Sequence, residues 1–220
     1  MSRRILILYG TTYGQTALIS RRIANQLAAL GYSVTLMNGA DPDVPSPEGF
    51  DGVMIGASLI AGRHQKCVER YIRVYRDALG ARPSAFFSVS ASASDTQGKG
   101  QADAARTLEQ FLERLSWSPA LRQTIAGSIS YRRYGPVARL VMRWISWREG
   151  GPTDTSRDHE LTDWQQVERL VDDFTELPGL RNGRSVTATL EARANAIPMM
   201  ARARATLSEA SWQEGSSLPA

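Results

Sequence analysis

The sequence predicts an α/β fold in which a five-stranded parallel sheet is covered by helices on both faces. Three observations support this prediction. Strand-like and helix-like segments alternate five times along the chain. The first strand-like segment is a continuous apolar run, which is typical of a strand buried on both faces. The segment after it has apolar residues on one helical face and polar residues on the other. Together these patterns indicate a doubly wound sheet with right-handed crossovers.

The first unit consists of a strand at Arg4–Tyr9 and a helix at Thr16–Leu30, which Gly31 ends. The later strands are predicted at Ser33–Met37, Gly52–Ala57, Pro83–Val89 and Thr124–Ile129. The later helices are predicted at Lys66–Leu79, Ala102–Leu115 and Asp163–Leu177, with Thr162 or Asp163 as the N-cap of the last. Five such units match the flavodoxin-like strand order, in which ligands bind at the carboxyl ends of the strands.

The five units occupy residues 3–177, which we expect to form one flavodoxin-like domain. Two segments are additional to the minimal fold. One is an insertion at 130–152, between the fifth strand and the last helix. The other is the stretch 178–220, which is rich in Ala, Arg and Ser and is expected to be a loosely ordered tail.

The composition limits the classes of protein that fit. Apolar residues make up 42% of the 220 residues, enough for a packed core, and the net charge of +4 is too small to predict a nucleic-acid partner. Cys67 is the one cysteine of the chain, which excludes an internal disulfide and fits a reducing, cytoplasmic compartment. No run of 18 apolar residues occurs, so no membrane-spanning segment is expected.

The loop Gly10–Thr16 is the predicted phosphate-binding site. It follows a buried strand and opens a helix, where backbone N–H groups and the helix dipole favour an anion. Thr11, Thr12 and Thr16 add hydroxyl donors, and Gln15 stands where a nucleoside triphosphate loop needs lysine. The loop therefore predicts a phosphate monoester. A tight turn with hydroxyl caps is the alternative.

Two further loops are candidate walls for a flat flavin ring. Gly56–His64 follows the third strand, and the hydroxyl of Ser58 in this loop can hydrogen-bond the polar edge of a ring. Ser88–Asp95 follows the fourth strand and supplies hydroxyls and backbone groups without charge up to its last residue. The alternative is that both are ordinary polar loops.

Two side chains near these loops have reactive chemistry. His64 is a candidate proton shuttle, although a histidine in such a loop more often faces solvent. Cys67 has no second cysteine with which to complete a redox cycle, so we interpret it as structural.

The insertion has the pattern of a basic amphipathic helix. At 100° per residue, Pro136–Trp147 places its apolar residues, including two tryptophans, on one broad arc. Five arginines face one acidic residue within 132–149, and they are Arg132, Arg133, Arg139, Arg143 and Arg148, against Glu149. This pattern predicts peripheral contact with a membrane surface through 132–149. The alternative is a helix that packs its apolar face on the domain.

Several stretches of the chain resemble one family. They are ILILYGTTYGQT at 5–16, DGVMIGAS at 51–58, PSAFFSVSASA at 83–93, IAGSISYRRYGPVARLVMRWIS at 125–146 and GGPTDTSRDHELTDW at 150–164. With these stretches the chain resembles the flavodoxin-like, quinone-dependent protoporphyrinogen oxidases (dehydrogenases) of bacterial haem synthesis. The long insertion followed by TDT and TDW is the most specific part, because short-chain flavodoxins do not carry it.

The resemblance implies a set of FMN contacts. For the phosphate they are Thr11, Thr12, Tyr13, Gly14, Gln15 and Thr16. For the ring and ribityl chain they are Ser58, Phe86, Phe87, Ser88, Val89, Ser90 and Ala91, and the residues that would close the site are Thr153, Asp154 and Thr155. Gly10 replaces a hydroxyl residue of the family. No catalytic side chain and no metal ligand is assigned.

The function implied by the resemblance is FMN-dependent oxidation of protoporphyrinogen IX, with menaquinone or ubiquinone as electron acceptor. The arginines of the insertion could also attract the carboxylates of the porphyrin. The expected location is the cytoplasm, at the inner face of the cell membrane. Three alternatives stay open: an electron carrier between proteins, a quinone reductase with a different substrate, and a module of the same fold that has lost its cofactor.

Overall fold

The computed structural model describes residues 2–95, 98–129 and 159–181. The insertion 130–152, with its membrane surface 132–149, lies outside the described residues, as do Thr153, Asp154 and Thr155 and the stretch 182–220. Elements are numbered below in chain order.

Five strands form the parallel sheet, and they are β1 (Arg4–Gly10), β2 (Ser33–Asn38), β3 (Gly52–Ile60), β5 (Ser84–Ser90) and β6 (Leu121–Ala126). The described helices are α1 (Gln15–Ala29), α2 (Lys66–Gly80), α3 (Lys99–Arg114) and α4 (Trp164–Thr175). Three two-residue strands complete the set, and they are β4 (Arg63–His64), β7 (Ser128–Ile129) and β8 (His159–Glu160). The predicted strand and helix alternation is confirmed.

The order of the parallel strands is β2-β1-β3-β5-β6. The chain leaves β1 on one side to form β2 and returns to the other side to form β3, so the order reverses between β1 and β3. Their carboxyl ends lie in register, with Gly10 opposite Ala57. A doubly wound sheet binds its ligand at such a reversal, and this places the candidate site beside the predicted phosphate loop.

The core has two layers, one on each face of the sheet, as the fold class predicts. Ile5 and Ile7 of β1 pack in the layer formed with α1 and α4. Leu6 and Leu8 pack in the opposite layer, which α2 and α3 cover. All four side chains have no exposed surface. Alternate residues of one strand thus enter opposite layers, which explains why β1 is a continuous apolar run.

Two strands differ from their predicted bounds. β3 continues past Ala57 to Ile60 and pairs antiparallel with β4. The two residues between them, Ala61 and Gly62, have φ of 48° and 71°, the left-handed pair that a tight hairpin requires. The edge strand β6 is Leu121–Ala126, three residues earlier than the predicted Thr124–Ile129.

The strand pair β7–β8 brackets the undescribed segment 130–158. Ile129 pairs with His159 and Ser128 with Glu160 in antiparallel register. Gly127, just before β7, donates its N–H to the Ser90 carbonyl at 2.9 Å. The two ends of the segment that carries the insertion therefore meet beside the carboxyl ends of β5 and β6.

The described chain packs beyond Leu177, the end of the predicted domain. Leu180 is fully buried in the layer under α1 and α4. Its carbonyl accepts a hydrogen bond of 2.8 Å from the Tyr32 hydroxyl. One compact unit includes the chain up to Arg181, so residues 178–181 pack with this unit.

Candidate functional site at the carboxyl ends of β1, β3 and β5

The predicted phosphate loop joins β1 to α1 without any charged side chain. Gly14 lies at the N-cap of α1 with φ of 94°, a conformation that favours glycine. Its N–H donates to the Thr11 hydroxyl at 2.9 Å. The first turn of α1 has neither a side-chain cap nor an acidic residue, so nothing there opposes an incoming anion.

Thr16 meets a specific test for a bound anion. The residue is fully buried at the start of α1, and its hydroxyl has no hydrogen-bond partner among the described residues. A buried hydroxyl left unpaired costs free energy. A phosphate oxygen at the helix N-terminus would satisfy such a donor, so the residues present fit the phosphate of FMN.

Gln65 connects this loop to the end of β3. Its amide nitrogen donates to the Thr12 hydroxyl at 3.1 Å and also to the Ser58 hydroxyl. Thr12 is exposed and Ser58 is half-buried. The two predicted contact loops are therefore held together by one side chain that the sequence analysis did not single out.

The end of β5 is the third wall of the site. Phe86 and Phe87 are fully buried and point into opposite core layers. Ser88 is also fully buried. The Ser90 hydroxyl accepts from the Ala93 N–H at 3.2 Å and shapes the loop that follows. Ser90, the last residue of β5, and Ala91, which follows it, are therefore the positions nearest the edge of the site.

His64 is the last residue of the β3–β4 hairpin and is 7% exposed, so the expectation that it faces solvent is wrong. Its Nε2 lies 2.9 Å from the Ser88 hydroxyl, and its ring packs 4.3 Å from that of Phe111. Burial, and after it the charge of Arg114, lower the pKa of His64 from 6.5 to about 4, although the charge of Glu69 acts in the opposite direction. A neutral, buried imidazole supports the hairpin and is not a proton shuttle at neutral pH.

The start of α4 is tied to the phosphate loop. The Thr162 hydroxyl accepts from the Gln15 amide at 2.9 Å and donates to the Ala126 carbonyl at 2.9 Å. Asp163 is the N-cap, as the sequence predicts, and accepts from the N–H groups of Gln165 and Gln166. β6, α1 and α4 therefore meet behind the site.

Comparisons with known proteins agree with this geometry. The flavodoxin domain family model matches residues 6–156. A protoporphyrinogen IX dehydrogenase [quinone] of Leishmania major is 34% identical over 178 residues, which cover 80% of this chain and 77% of that protein. One of Escherichia coli K12 with the same name is 31% identical over 174 residues, which cover 79% of this chain and 96% of that protein. This chain belongs to the protoporphyrinogen IX dehydrogenase [quinone] family.

Among solved structures, the chain is similar to oxidised flavodoxin 1 of Bacillus cereus. The match covers 83% of this chain and 99% of that chain, with a TM-score of 0.46 and 13% identity.

The TDW stretch that the resemblance singled out has a structural role in this family member. Thr162 links β6 to α1, and Asp163 caps α4. The Trp164 ring lies 5.9 Å from the Arg22 guanidinium carbon, a cation–π contact that joins α4 to α1. The stretch therefore fixes the helix that closes the back of the site.

Sequence reasoning missed Gln65 and misjudged His64. Gln65 bonds residues 53 and seven positions away in the chain, and no local pattern signals such pairs. His64 belongs to a hairpin that the sequence analysis predicts as a loop. Its burial among aromatic rings would have been visible once β4 was recognised.

Proposed function

We propose that this chain binds FMN and oxidises protoporphyrinogen IX to protoporphyrin IX, with a membrane quinone as electron acceptor. The relatives are named for protoporphyrinogen IX and a quinone, and these names suggest the substrate and the acceptor class. The observation that supports the cofactor is the start of α1, which has no side-chain cap. There the Thr16 hydroxyl is buried beside a loop without charged side chains, and it has no hydrogen-bond partner among the described residues. A bound flavin would take up the hydrogen of the substrate and pass electrons to the quinone.

The proposed phosphate contacts come from the loop that starts α1. They are the hydroxyls of Thr11, Thr12 and Thr16 and the backbone of Tyr13, Gly14 and Gln15. The absence of lysine from this loop suits a monoester, because several hydrogen bonds to a charged group, at roughly 1.5–3 kcal/mol each, hold one phosphate. These donors fix the cofactor at the β1 end of the site.

The proposed ring contacts come from the ends of β3 and β5. Ser58 and the backbone after Ser90 face the carboxyl edge of the sheet, whereas Phe86 and Phe87 support the site from the core. Thr153, Asp154 and Thr155 remain proposed closing residues, since the chain returns beside Ala126 at β8. We assign no side chain to proton transfer.

The insertion is proposed to bring the site to a membrane. Its five arginines at 132–149 and its tryptophans suit an anionic lipid surface. The segment that carries it begins and ends at the β7–β8 pair, beside the ends of β5 and β6. In the described part of the chain, no helix has the length and apolarity needed to cross a bilayer. The contact proposed for the insertion is peripheral, at the cytoplasmic face of the membrane.

The proposed reaction is tested under anaerobic conditions with purified protein, protoporphyrinogen IX and a menaquinone or ubiquinone analogue. We expect a flavin absorption band and quinone-dependent formation of protoporphyrin, followed by its fluorescence. Protein that contains FMN but forms no protoporphyrin would contradict the substrate. Protein that neither contains nor takes up FMN would contradict the cofactor.

A deletion of 132–149 separates this enzyme from a carrier that only shuttles electrons between proteins. We expect the deletion to abolish quinone-dependent activity while FMN binding survives. The matched control replaces Arg132, Arg133, Arg139, Arg143 and Arg148 by Gln and keeps the length of the insertion. This variant should no longer sediment with anionic vesicles at low salt. Equal sedimentation of this variant and the wild type would contradict the membrane role.

A further inference from the structure

Gln65 occupies the gap between the two proposed ends of the FMN site. Its amide nitrogen donates to Thr12 in the phosphate loop and to Ser58 at the end of β3. An amide NH₂ group carries two protons, and these two bonds use both. We propose that Gln65 is a positioning residue that turns both hydroxyls into hydrogen-bond donors toward FMN. This inference rests on the proposed FMN binding.

The direction of the protons follows from the chemistry of a hydroxyl. A hydroxyl can accept two hydrogen bonds but has one proton to donate. Because Thr12 and Ser58 each accept from Gln65, each keeps its own proton for another partner. Phosphate oxygens and flavin carbonyl oxygens are acceptors, so they need donors of this kind. One glutamine thereby sets the direction of the hydrogen bonds that the site can make to FMN at both of its ends.

The backbone and the stem of Gln65 hold the amide in place. The residue is the N-cap of α2, but its side chain makes no capping bond to the helix. A Cβ on Gly10 would lie 2.9 Å from the Gln65 Cβ and 3.2 Å from its Cγ. The stem therefore packs against the end of β1, and the amide is directed to the loops instead of to its own helix.

The amide oxygen of Gln65 costs folding free energy, so stability alone does not explain why a glutamine occupies this position. The Gln65 Oε1 is buried and has no hydrogen-bond partner among the described residues. Such a group is destabilising. An apolar side chain of the same length would avoid the cost and still pack against Gly10. A role for the Nε2 donor in ligand binding accounts for the glutamine.

The first test compares Gln65→Met with Gln26→Met in their affinity for FMN and for riboflavin. Gln26, on α1, also has a buried and unpartnered Oε1, so it controls for the removal of a buried amide. We expect Gln65→Met to raise the FMN dissociation constant about 10-fold or more, in line with the loss of oriented hydrogen bonds. Gln26→Met should leave it unchanged.

Riboflavin identifies which end of the site is affected, because it lacks the phosphate. Thr12→Val should weaken FMN but not riboflavin, whereas Ser58→Ala should weaken both. Gln65→Met should weaken both, with the larger loss for FMN. Flavin fluorescence quenching measures the affinity of each protein for both ligands, and the melting temperature of each apoprotein separates binding from folding.

The energetic coupling between Gln65 and the two hydroxyls distinguishes positioning from a purely structural role, because a structural role would not depend on Thr12 and Ser58. In a Thr12→Val/Ser58→Ala background, Gln65→Met should change FMN affinity by less than about twofold, because the hydroxyls that it orients are gone. Gln65→Glu keeps the size but can only accept, so both hydroxyls would turn their protons inward. It should bind FMN more weakly than Gln65→Met.

Two results overturn the inference in different ways. A wild-type protein that binds no FMN overturns it together with the proposed function. A wild-type protein that binds FMN, with Gln65→Met binding as tightly or losing the same factor in both backgrounds, overturns the inference alone.

Discussion

Ser116 occupies a backbone position that glycine usually fills. It follows α3 with φ of 51°, and the bonds Trp117 N–H to Leu112 O and Ser116 N–H to Glu113 O form the Schellman motif at this helix end. The same two bonds end α1, where Gly31 has φ of 89°. The chain therefore contains a favourable and a strained version of one motif.

We expect Ser116→Gly to stabilise the protein by about 1 kcal/mol, because a side chain in the left-handed region costs about that much. Ser116 is exposed and lies outside the candidate site. The reverse change at the same motif position, Gly31→Ser, should destabilise by a similar amount. Urea unfolding measures both, and a loss of stability in Ser116→Gly would contradict the assignment of strain.

His64 makes stability depend on pH in a defined direction. Its pKa is lowered to about 4 in the folded protein, first by burial and then by Arg114, from an ordinary value of 6.5. Between these two values the unfolded chain binds more protons than the folded one, so stability is lost as pH falls through this window. We expect His64 to contribute a loss of stability of about 2 kcal/mol between pH 7.5 and pH 5.

The measurement is chemical unfolding at both pH values for the wild type, His64→Gln and His159→Asn. His159 is the other histidine of the chain, so its variant controls for histidine titration in general. We expect His64→Gln to show a smaller loss on acidification and His159→Asn to behave like the wild type. Equal losses in all three proteins would rule out His64 as the source.

At the scale of elements, the sequence predicts well those strands that are buried on both faces of the sheet. β1 reads as a strand because alternate residues enter opposite apolar layers. The edge strand β6 was placed three residues late because Arg122 and Gln123 interrupt its apolar pattern. The β3–β4 hairpin was missed because its turn, Ala61-Gly62, lacks the usual Asn or Asp before glycine.

The candidate site shows the same division between what sequence can and cannot predict. The position of the phosphate loop follows from one strand and one helix, and sequence predicts it well. The bridge from Gln65 to Thr12 and Ser58 depends on the approach of α2 to β1 and β3. Contacts of this kind follow from packing in three dimensions, so no periodicity along the chain reveals them.

Gly10 is the residue that allows α2 to approach β1 so closely. A Cβ there would lie 2.8 Å from Val68 Cγ2 and 2.9 Å from Gln65 Cβ, which is too close for either to remain in place. The start of α2, and with it the Gln65 amide, depends on the missing side chain.

We expect Gly10→Ala to destabilise the protein by about 1–3 kcal/mol through overpacking and to weaken FMN binding by moving Gln65. Gly39→Ala is the matched control, because a Cβ at Gly39 would meet its neighbours at an ordinary 3.6 Å. Melting temperature and FMN titration report the two effects. Gly10→Ala with unchanged stability would show that α2 has more room than the structure indicates.

At the scale of the whole molecule, the C-terminal end of the fold is set by Leu180. Both Cδ atoms of Leu180 lie 3.0 Å from the position of a Cβ on Gly52. The Leu180 carbonyl also accepts the hydrogen bond of the buried Tyr32 hydroxyl. A leucine without exposed surface that fills the space over a strand glycine is part of the core, although it follows the last helix.

Two truncations test this boundary. A chain that ends at Arg181 keeps Leu180, whereas a chain that ends at Leu177 loses both the Leu180 side chain and the hydrogen bond from the Tyr32 hydroxyl to the Leu180 carbonyl. We expect the shorter chain to be less stable by about 3–5 kcal/mol, as for removal of a buried leucine plus one buried hydrogen bond. Leu180→Ala in the longer chain isolates the side chain and should account for most of the loss. Equal stability of the two truncated chains would place the boundary at Leu177. Because both lack 182–220, a large loss in both relative to the full chain would extend the fold beyond Arg181.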